Sequence, residues 1–154
     1  GGRIYIAMAA NTSNIWAGRQ ISATPDGRLA GEPLSDAASP TYGRDKHGVT
    51  EVINSVTHPD YTKVACGTVL NQKFTPSAFE GKNREKLRAL LRVYFKKGGQ
   101  EMQINSTSRE VLLDAMEHPE NYQSLVVRVS GFSAFFVTLD RSVQLDILAR
   151  TQQE

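Results

Sequence analysis

The reading turns on one stretch near the end of the chain: HPENYQSLVV (118–127), RVSGF (128–132) and SAFFVTLDRSVQLDILART (133–151). Leu125 to Val129 is a strongly β-type run. Ser130-Gly131 breaks it as a turn, and Ala134 to Val137 reads as a second strand. Asp140 stands where it can cap a last helix from Arg141 to Arg150. Upstream, His118-Pro119 stops a preceding helix, because proline lacks an N–H and restricts the residue before it. The expected order is therefore helix, strand, turn, strand, helix, with Gly131 at the turn.

Working outward, Thr107-x-x-Glu110 has the form of a capping box before Val111-Leu112-Leu113. Met102 to Asn105 reads as a short strand. Asn83 to Lys97 is the clearest helix, since Leu87, Leu90, Leu91 and Tyr94 fall at i, i+3, i+4 and i+7 and share one face. Lys96-Lys97 suits its negative dipole end and Gly98-Gly99 terminates it. Thr68 to Phe74 is a strand candidate, and Val49 to Val56 fits a short helix or a strand. The segment from Thr24 to Gly48 holds four glycines and three prolines, and reads as a long ordered loop. Ile4 to Ala10 reads as a buried strand, and Ile15 to Ile21 as a second. The fold class is α/β, with five or six strands and three helices.

Composition narrows the function. The chain has 154 residues, 40% apolar and 22% charged, as in a soluble globular domain. Eighteen basic against 16 acidic residues leave a net charge of +2 and no electrostatic case for nucleic acid. No apolar run approaches the roughly 20 residues needed to cross a bilayer. A single cysteine, Cys66, excludes an internal disulfide framework and a cluster of cysteine metal ligands; among small and apolar neighbours it reads as a buried structural thiol. His47, His58 and His118 lack ligand spacing and read as solvent-facing or hydrogen-bonded. No glycine-rich nucleotide cradle or nucleophile elbow is present, and the two N-x-[ST] matches, at Asn11 and Asn105, read as chance. The chain opens Gly1-Gly2-Arg3 without an initiator methionine, which suits a piece of something larger.

The RVSGF stretch and its flanks resemble the C-terminal signature of the glycyl radical enzymes, a family that includes pyruvate formate-lyase, glycerol and diol dehydratases, choline trimethylamine-lyase, isethionate sulfite-lyase and arylacetate decarboxylases. Other segments fit in the same order: Thr24-Pro25-Asp26-Gly27-Arg28, Gly31-Glu32-Pro33, Ser39-Pro40-x-x-Gly43, Gly98-Gly99-Gln100 and Leu112-Leu113-Asp114-Ala115. The resemblance implies that Gly131 is the catalytic residue, carrying a glycyl radical, with Arg128, Val129, Ser130 and Phe132 as the rest of the radical-loop motif. The chemistry requires glycine there. Removing a Cα hydrogen makes the carbon planar, and a Cβ would crowd the planar backbone over which the electron spreads. Val129, Phe132, Phe135 and Phe136 would wall the site from water.

The resemblance also implies the rest of the enzyme. The fold is the C-terminal portion of a ten-stranded barrel whose interior the glycine loop enters, with residues 1–97 as late barrel strands, long loop and helix, and 98–154 as the glycine radical domain. In the family, the radical draws a hydrogen from a cysteine in a Gly-Cys-x-Glu setting, and the resulting thiyl attacks substrate. Cys66 is followed by Gly67-Thr68 and departs from that pattern, so the active-site cysteine is expected on the remainder of the enzyme. The other implied partners are a radical-SAM activating enzyme, which alone holds S-adenosylmethionine and the iron–sulfur cluster, and a small-molecule substrate. The intact enzyme would be a homodimer with no nucleic acid or membrane partner, and this chain would hold no metal. It would be a lyase or dehydratase in the cytoplasm or a microcompartment of an anaerobic bacterium. Arg3 is a candidate contact for a substrate anion. Competing readings are a free-standing spare part that restores an oxygen-cleaved enzyme, an arylacetate decarboxylase fragment, and an interaction domain without radical chemistry. A severed part should expose apolar surface and strand edges.

Overall fold

The computed structural model describes residues 2–150, 152 and 153. In chain order its strands are β1 (Val69–Phe74), β2 (Glu101–Asn105), β3 (Val126–Arg128), β4 (Ser133–Phe135) and β5 (Gln152–Gln153). β1 lies between β2 and β5, and both pairings are parallel; Val69 faces Glu101 and Lys73 faces Asn105. β3 and β4 form a separate antiparallel pair, Val126 opposite Phe135 and Arg128 opposite Ser133. The helices are α1 (Ser13–Gly18), α2 (Val49–Val56), α3 (Gly81–Lys96), α4 (Arg109–Glu117) and α5 (Arg141–Ala149).

Parallel neighbours need a crossover, and α3 provides it between β1 and β2. Its expected apolar face is the one that packs. Leu87 and Tyr94 are buried, Leu90 and Leu91 half-buried. Tyr94 joins Val52 and Ile53 of α2 and Leu70 of β1 in one core cluster. Its hydroxyl donates to the Glu101 carbonyl at 2.9 Å, which ties the end of α3 to the start of β2. Gly98-Gly99 do different work: Gly98 takes a left-handed φ of 96°, and a Cβ on Gly99 would lie 2.3 Å from the Tyr94 ring.

A second core lies behind the hairpin. Leu112 and Ala115 of α4, Val127 and Val129, Phe136, and Ile147 and Leu148 of α5 pack together. Three helix expectations need adjustment. Ser108, not Thr107, caps α4, accepting from the Val111 N–H at 3.3 Å. Asp140 stands at the cap position of α5 but makes no side-chain capping bond. Val49 to Val56 is a helix.

Two expected strands are absent. Ile15 to Ile21 holds α1 instead: Ile15 and Gly18 turn inward, and a Cβ on Gly18 would lie 2.2 Å from the Glu32 carbonyl oxygen. A short apolar run does not distinguish a buried strand from a buried helical turn. Ile4 to Ala10 is extended, but only Met8 bridges, to Thr68, and Ile4, Tyr5 and Ile6 are exposed. Met8 donates its N–H to the Gly67 carbonyl at 2.9 Å and accepts the Val69 N–H on its own carbonyl at 3.0 Å. Among the described residues there are five α-helices rather than three: α1 replaces an expected strand, and α2 resolves a segment that fits either.

The long loop is ordered from within. Arg28 is buried, and its guanidinium donates to the carbonyls of Ile21, Ser22, Leu29 and Glu32. A Gly99→Ala substitution should lower the free energy of unfolding by about 1–3 kcal/mol by driving a methyl into the Tyr94 ring. A urea denaturation curve with an unchanged midpoint would contradict this packing.

Candidate functional site

The β3–β4 register leaves Ser130-Gly131 as a two-residue turn, closed by the Val129 N–H donating to Phe132 at 2.8 Å. Gly131 has φ +80°, a left-handed conformation that disfavours a side chain, and an added Cβ would sit 2.8 Å from Asn11 Oδ1. Backbone geometry therefore selects glycine here, while a Cβ would require only the exposed Asn11 side chain to swing aside.

Two groups of side chains hold the turn. Along one face of β2, Asn105 accepts the Arg128 N–H at 2.8 Å and donates to the Arg128 carbonyl at 2.6 Å. Two residues earlier, Gln103 Oε1 accepts the Gly131 N–H at 3.0 Å. The second group is a buried ionic cluster. Asp36, from the long loop, is only 2% exposed. Its carboxylate accepts from Ser130 Oγ at 2.9 Å, from Asn71 Nδ2 at 2.7 Å and from Arg150 at 3.3 Å. Arg150, at the end of α5, donates to the Val129 carbonyl at 2.6 Å and the Arg128 carbonyl at 3.2 Å. Asp146, one turn earlier, faces the same guanidinium at 3.4 Å.

Burial pushes the Asp36 carboxyl above its usual range, while Arg150 and the Ser130 bond pull it back. Burial and the neighbouring Asp146 push the Tyr42 phenol well up.

The expected residues meet the structure unevenly. Ser130 and Val129 are buried, and Arg128 is half-buried with its guanidinium donating to Ser133 Oγ at 3.3 Å. Of the four walls, Val129 and Phe136 are inside while Phe132 and Phe135 are exposed. Gly131 itself is exposed in this chain. Arg3 is exposed on the first extended segment. Cys66 is exposed, not buried as expected; it lies on the turn ending at Gly67, outside the point where burial begins at Thr68. All three histidines are exposed, with His118 Nδ1 3.0 Å from Asp114. No cluster able to hold a metal occurs among the described residues.

A family model described as "Glycine radical" matches residues 34–137, a span that contains Asp36, Gln103, Asn105 and the whole turn. The chain belongs to the glycine radical family. It is 45% identical over 154 residues to a probable dehydratase, YbiW, of Escherichia coli K12, covering 99% of this chain and 19% of that protein. It is 40% identical, with the same coverage, to trans-4-hydroxy-L-proline dehydratase of Clostridioides difficile. The glycerol-bound B12-independent glycerol dehydratase of Clostridium butyricum superposes with a TM-score of 0.95 at 43% identity, over 99% of this chain and 20% of that structure. The chain thus shares the α/β fold of a portion of the glycyl radical dehydratases and spans about a fifth of the relatives' length.

Sequence reasoning reached the turn but not what holds it. Asp36, Asn71 and Arg150 carried no local signal. The Glu101-x-Gln103-x-Asn105 alternation did carry one, because a strand face made wholly of polar residues needs partners when buried.

Arg150→Leu should destabilise the protein by roughly 3–5 kcal/mol, since it strands two buried carboxylates at once; calorimetry or denaturant titration measures this. The pH dependence has a definite sign. With its folded pKa raised above 3.8, Asp36 contributes most to stability below that value, and the contribution is lost as pH rises through the folded pKa. Unfolding free energies of the wild type and Asp36→Asn, measured across this window, should converge or cross in the mutant's favour with rising pH. Parallel curves would show that Asp36 is not the group titrating.

Proposed function

We propose that Gly131 is the carbon on which the enzyme stores its radical, and that this chain is the C-terminal, radical-bearing portion of a larger lyase or dehydratase. One observation carries the reading: within the matched span, Gly131 sits at a turn where φ is +80°, a conformation that disfavours any side chain. Loss of one Cα hydrogen there leaves a planar carbon flanked by an amide nitrogen and a carbonyl, both of which delocalise the electron. Arg128, Val129, Ser130 and Phe132 hold that carbon: Ser130 through Asp36, Val129 and Arg128 through Arg150, and Phe132 through the bond that closes the turn.

The remaining roles belong to the rest of the enzyme. A cysteine outside this chain passes its S–H hydrogen to Gly131, restoring glycine and leaving a thiyl that attacks substrate. Exposed Cys66 lacks the neighbouring carboxylate for that role. Residues 1–97 would complete a ten-stranded barrel, and the turn of the 98–154 domain would enter it, covering the now exposed Gly131, Phe132 and Phe135. The radical would be installed by a separate radical-SAM activase with its iron–sulfur cluster, under anaerobic conditions, after the turn leaves the barrel. A cytoplasmic or microcompartment setting and a homodimer follow the same reading.

Two of the three relatives, those for glycerol and trans-4-hydroxy-L-proline, bear names that describe loss of water from a hydroxylated compound. A small hydroxylated substrate and C–O cleavage are proposed for this enzyme, with Arg3 as a contact to an anionic group. A free-standing spare part is the weaker reading, because the likeness to the dehydratases runs along 99% of the chain.

Anaerobic incubation of the full enzyme with a competent activase and S-adenosylmethionine should give a doublet in electron paramagnetic resonance. Gly131→Ala should abolish it, and admitting oxygen should cleave the wild-type backbone at residue 131. A fully activated sample with no doublet would refute the assignment.

A further inference from the structure

We propose that Gln103 is the positioning residue of the radical glycine: its side-chain carbonyl holds the Gly131 amide in the orientation over which the unpaired electron spreads. The inference rests on Gly131 being the radical carbon.

A glycine offers only its backbone as a handle. Its N–H is held by one group, Gln103 Oε1, at 3.0 Å, and Gln103 is 5% exposed. The orientation of that carboxamide is itself fixed. Gln103 Nε2 donates to Glu101 Oε1 at 2.9 Å. Rotating the amide by half a turn would set its NH2 against the Gly131 N–H and its oxygen against a carboxylate, replacing two attractive contacts by two repulsive ones. Glu101 therefore orients Gln103, and Gln103 orients Gly131.

Asn105, on the same face of β2, makes the complementary contact. Its carboxamide takes both the N–H and the carbonyl of Arg128, as the backbone of a neighbouring strand would. The radical turn is thus docked on β2 by side-chain amides, while the β2 backbone stays paired with β1 from Val69 to Lys73. Parting the turn from β2 breaks three side-chain hydrogen bonds to that strand, besides those to Asp36 and Arg150, and breaks no β1–β2 backbone pairing. Docked, Gln103 orders the glycine amide; undocking would also part the turn from Asp36 and Arg150.

The electronic consequence has a sign. An acceptor on the N–H makes the amide nitrogen a better donor of electron density to the adjacent radical carbon. Removing the acceptor moves spin back onto Cα. Nitrogen coupling should fall, and the splitting by the remaining α-hydrogen should widen.

The test uses the full-length enzyme, labelled with 15N-glycine, as wild type, Gln103→Met and Glu101→Ala. Gln103→Met keeps the length but loses the amide. Glu101→Ala alters only an exposed residue, keeps the fold, and frees the Gln103 amide to rotate. Two readouts are taken. Before activation, hydrogen exchange of the Gly131 amide should quicken roughly tenfold in Gln103→Met, the loss of one net hydrogen bond, and by less in Glu101→Ala. After activation, both variants should show a reduced 15N coupling and a wider doublet, in the same order. Faster exchange with unchanged couplings would reduce Gln103 to a merely structural support and overturn the proposal, as would wild-type values in both variants. Should Gln103→Met not fold, the Glu101→Ala couplings decide alone. A wild-type enzyme with no doublet would instead sink the reading of Gly131, which the exchange measurement leaves distinct.

Discussion

The buried pair between Asp36 and Arg150 is the constraint on which the site depends. It joins parts of the chain 114 residues apart. Through Ser130 and Asn71 on one side, and the Val129 and Arg128 carbonyls on the other, it also fixes the glycine turn and β1. Such a pair is a poor source of net stability, because removing two charges from water offsets most of their attraction. What it supplies is register. A carboxylate with bonds arriving from three directions admits one arrangement of the loop, the turn and the last helix, and a shifted turn would strip the buried pair of its hydrogen-bond partners.

That constraint explains how a segment without regular structure can be as well defined as the sheet. Between α1 and α2 the chain forms no helix or strand, yet it presents Arg28 and Asp36 inward as two polar anchors. Arg28 gathers four carbonyls of its own loop, so the loop keeps its shape. Asp36 then projects from that shape into the turn. The hairpin core beneath, from Leu112 to Leu148, gives the turn an apolar base but no direction, since hydrophobic packing is not directional. Direction comes from the polar contacts above it.

Legibility in the sequence followed the range of the interactions. The α3 face, the His118-Pro119 stop and the Ser130-Gly131 turn rest on contacts within a few residues, and each was readable. The capping residue of α4 was displaced by one because Thr107 and Ser108 are chemically equivalent caps, and only the backbone entry angle chooses between them. Asn71, Gln72 and Lys73 lie buried in β1, where a run of polar residues gives no sign of burial until their partners are known. Asp36 and Arg150 were invisible for the same reason: a charge looks solvated unless its counterion is in view. Ile4 to Ala10 misled in the other direction, its apolarity reporting a burial that this chain alone does not provide.

That last discrepancy bears on the site. Ile4, Tyr5 and Ile6 are exposed on a segment already hydrogen-bonded beside the start of β1, and Phe132 and Phe135 are exposed beside Gly131. Five large apolar side chains, placed around the segment that begins the chain and the turn near its end, are out of keeping with a surface evolved for water. The relatives are some five times longer than the matched portion. Where the remainder of such an enzyme closes over these residues, a single covering would pair the open side of the first segment and dry the glycine turn together. The polar network fixes Gly131 from beneath and leaves its outer side bare. On the proposed reading, an activator and then the cysteine of the remaining enzyme would reach this carbon from the bare side, while the other side stays held.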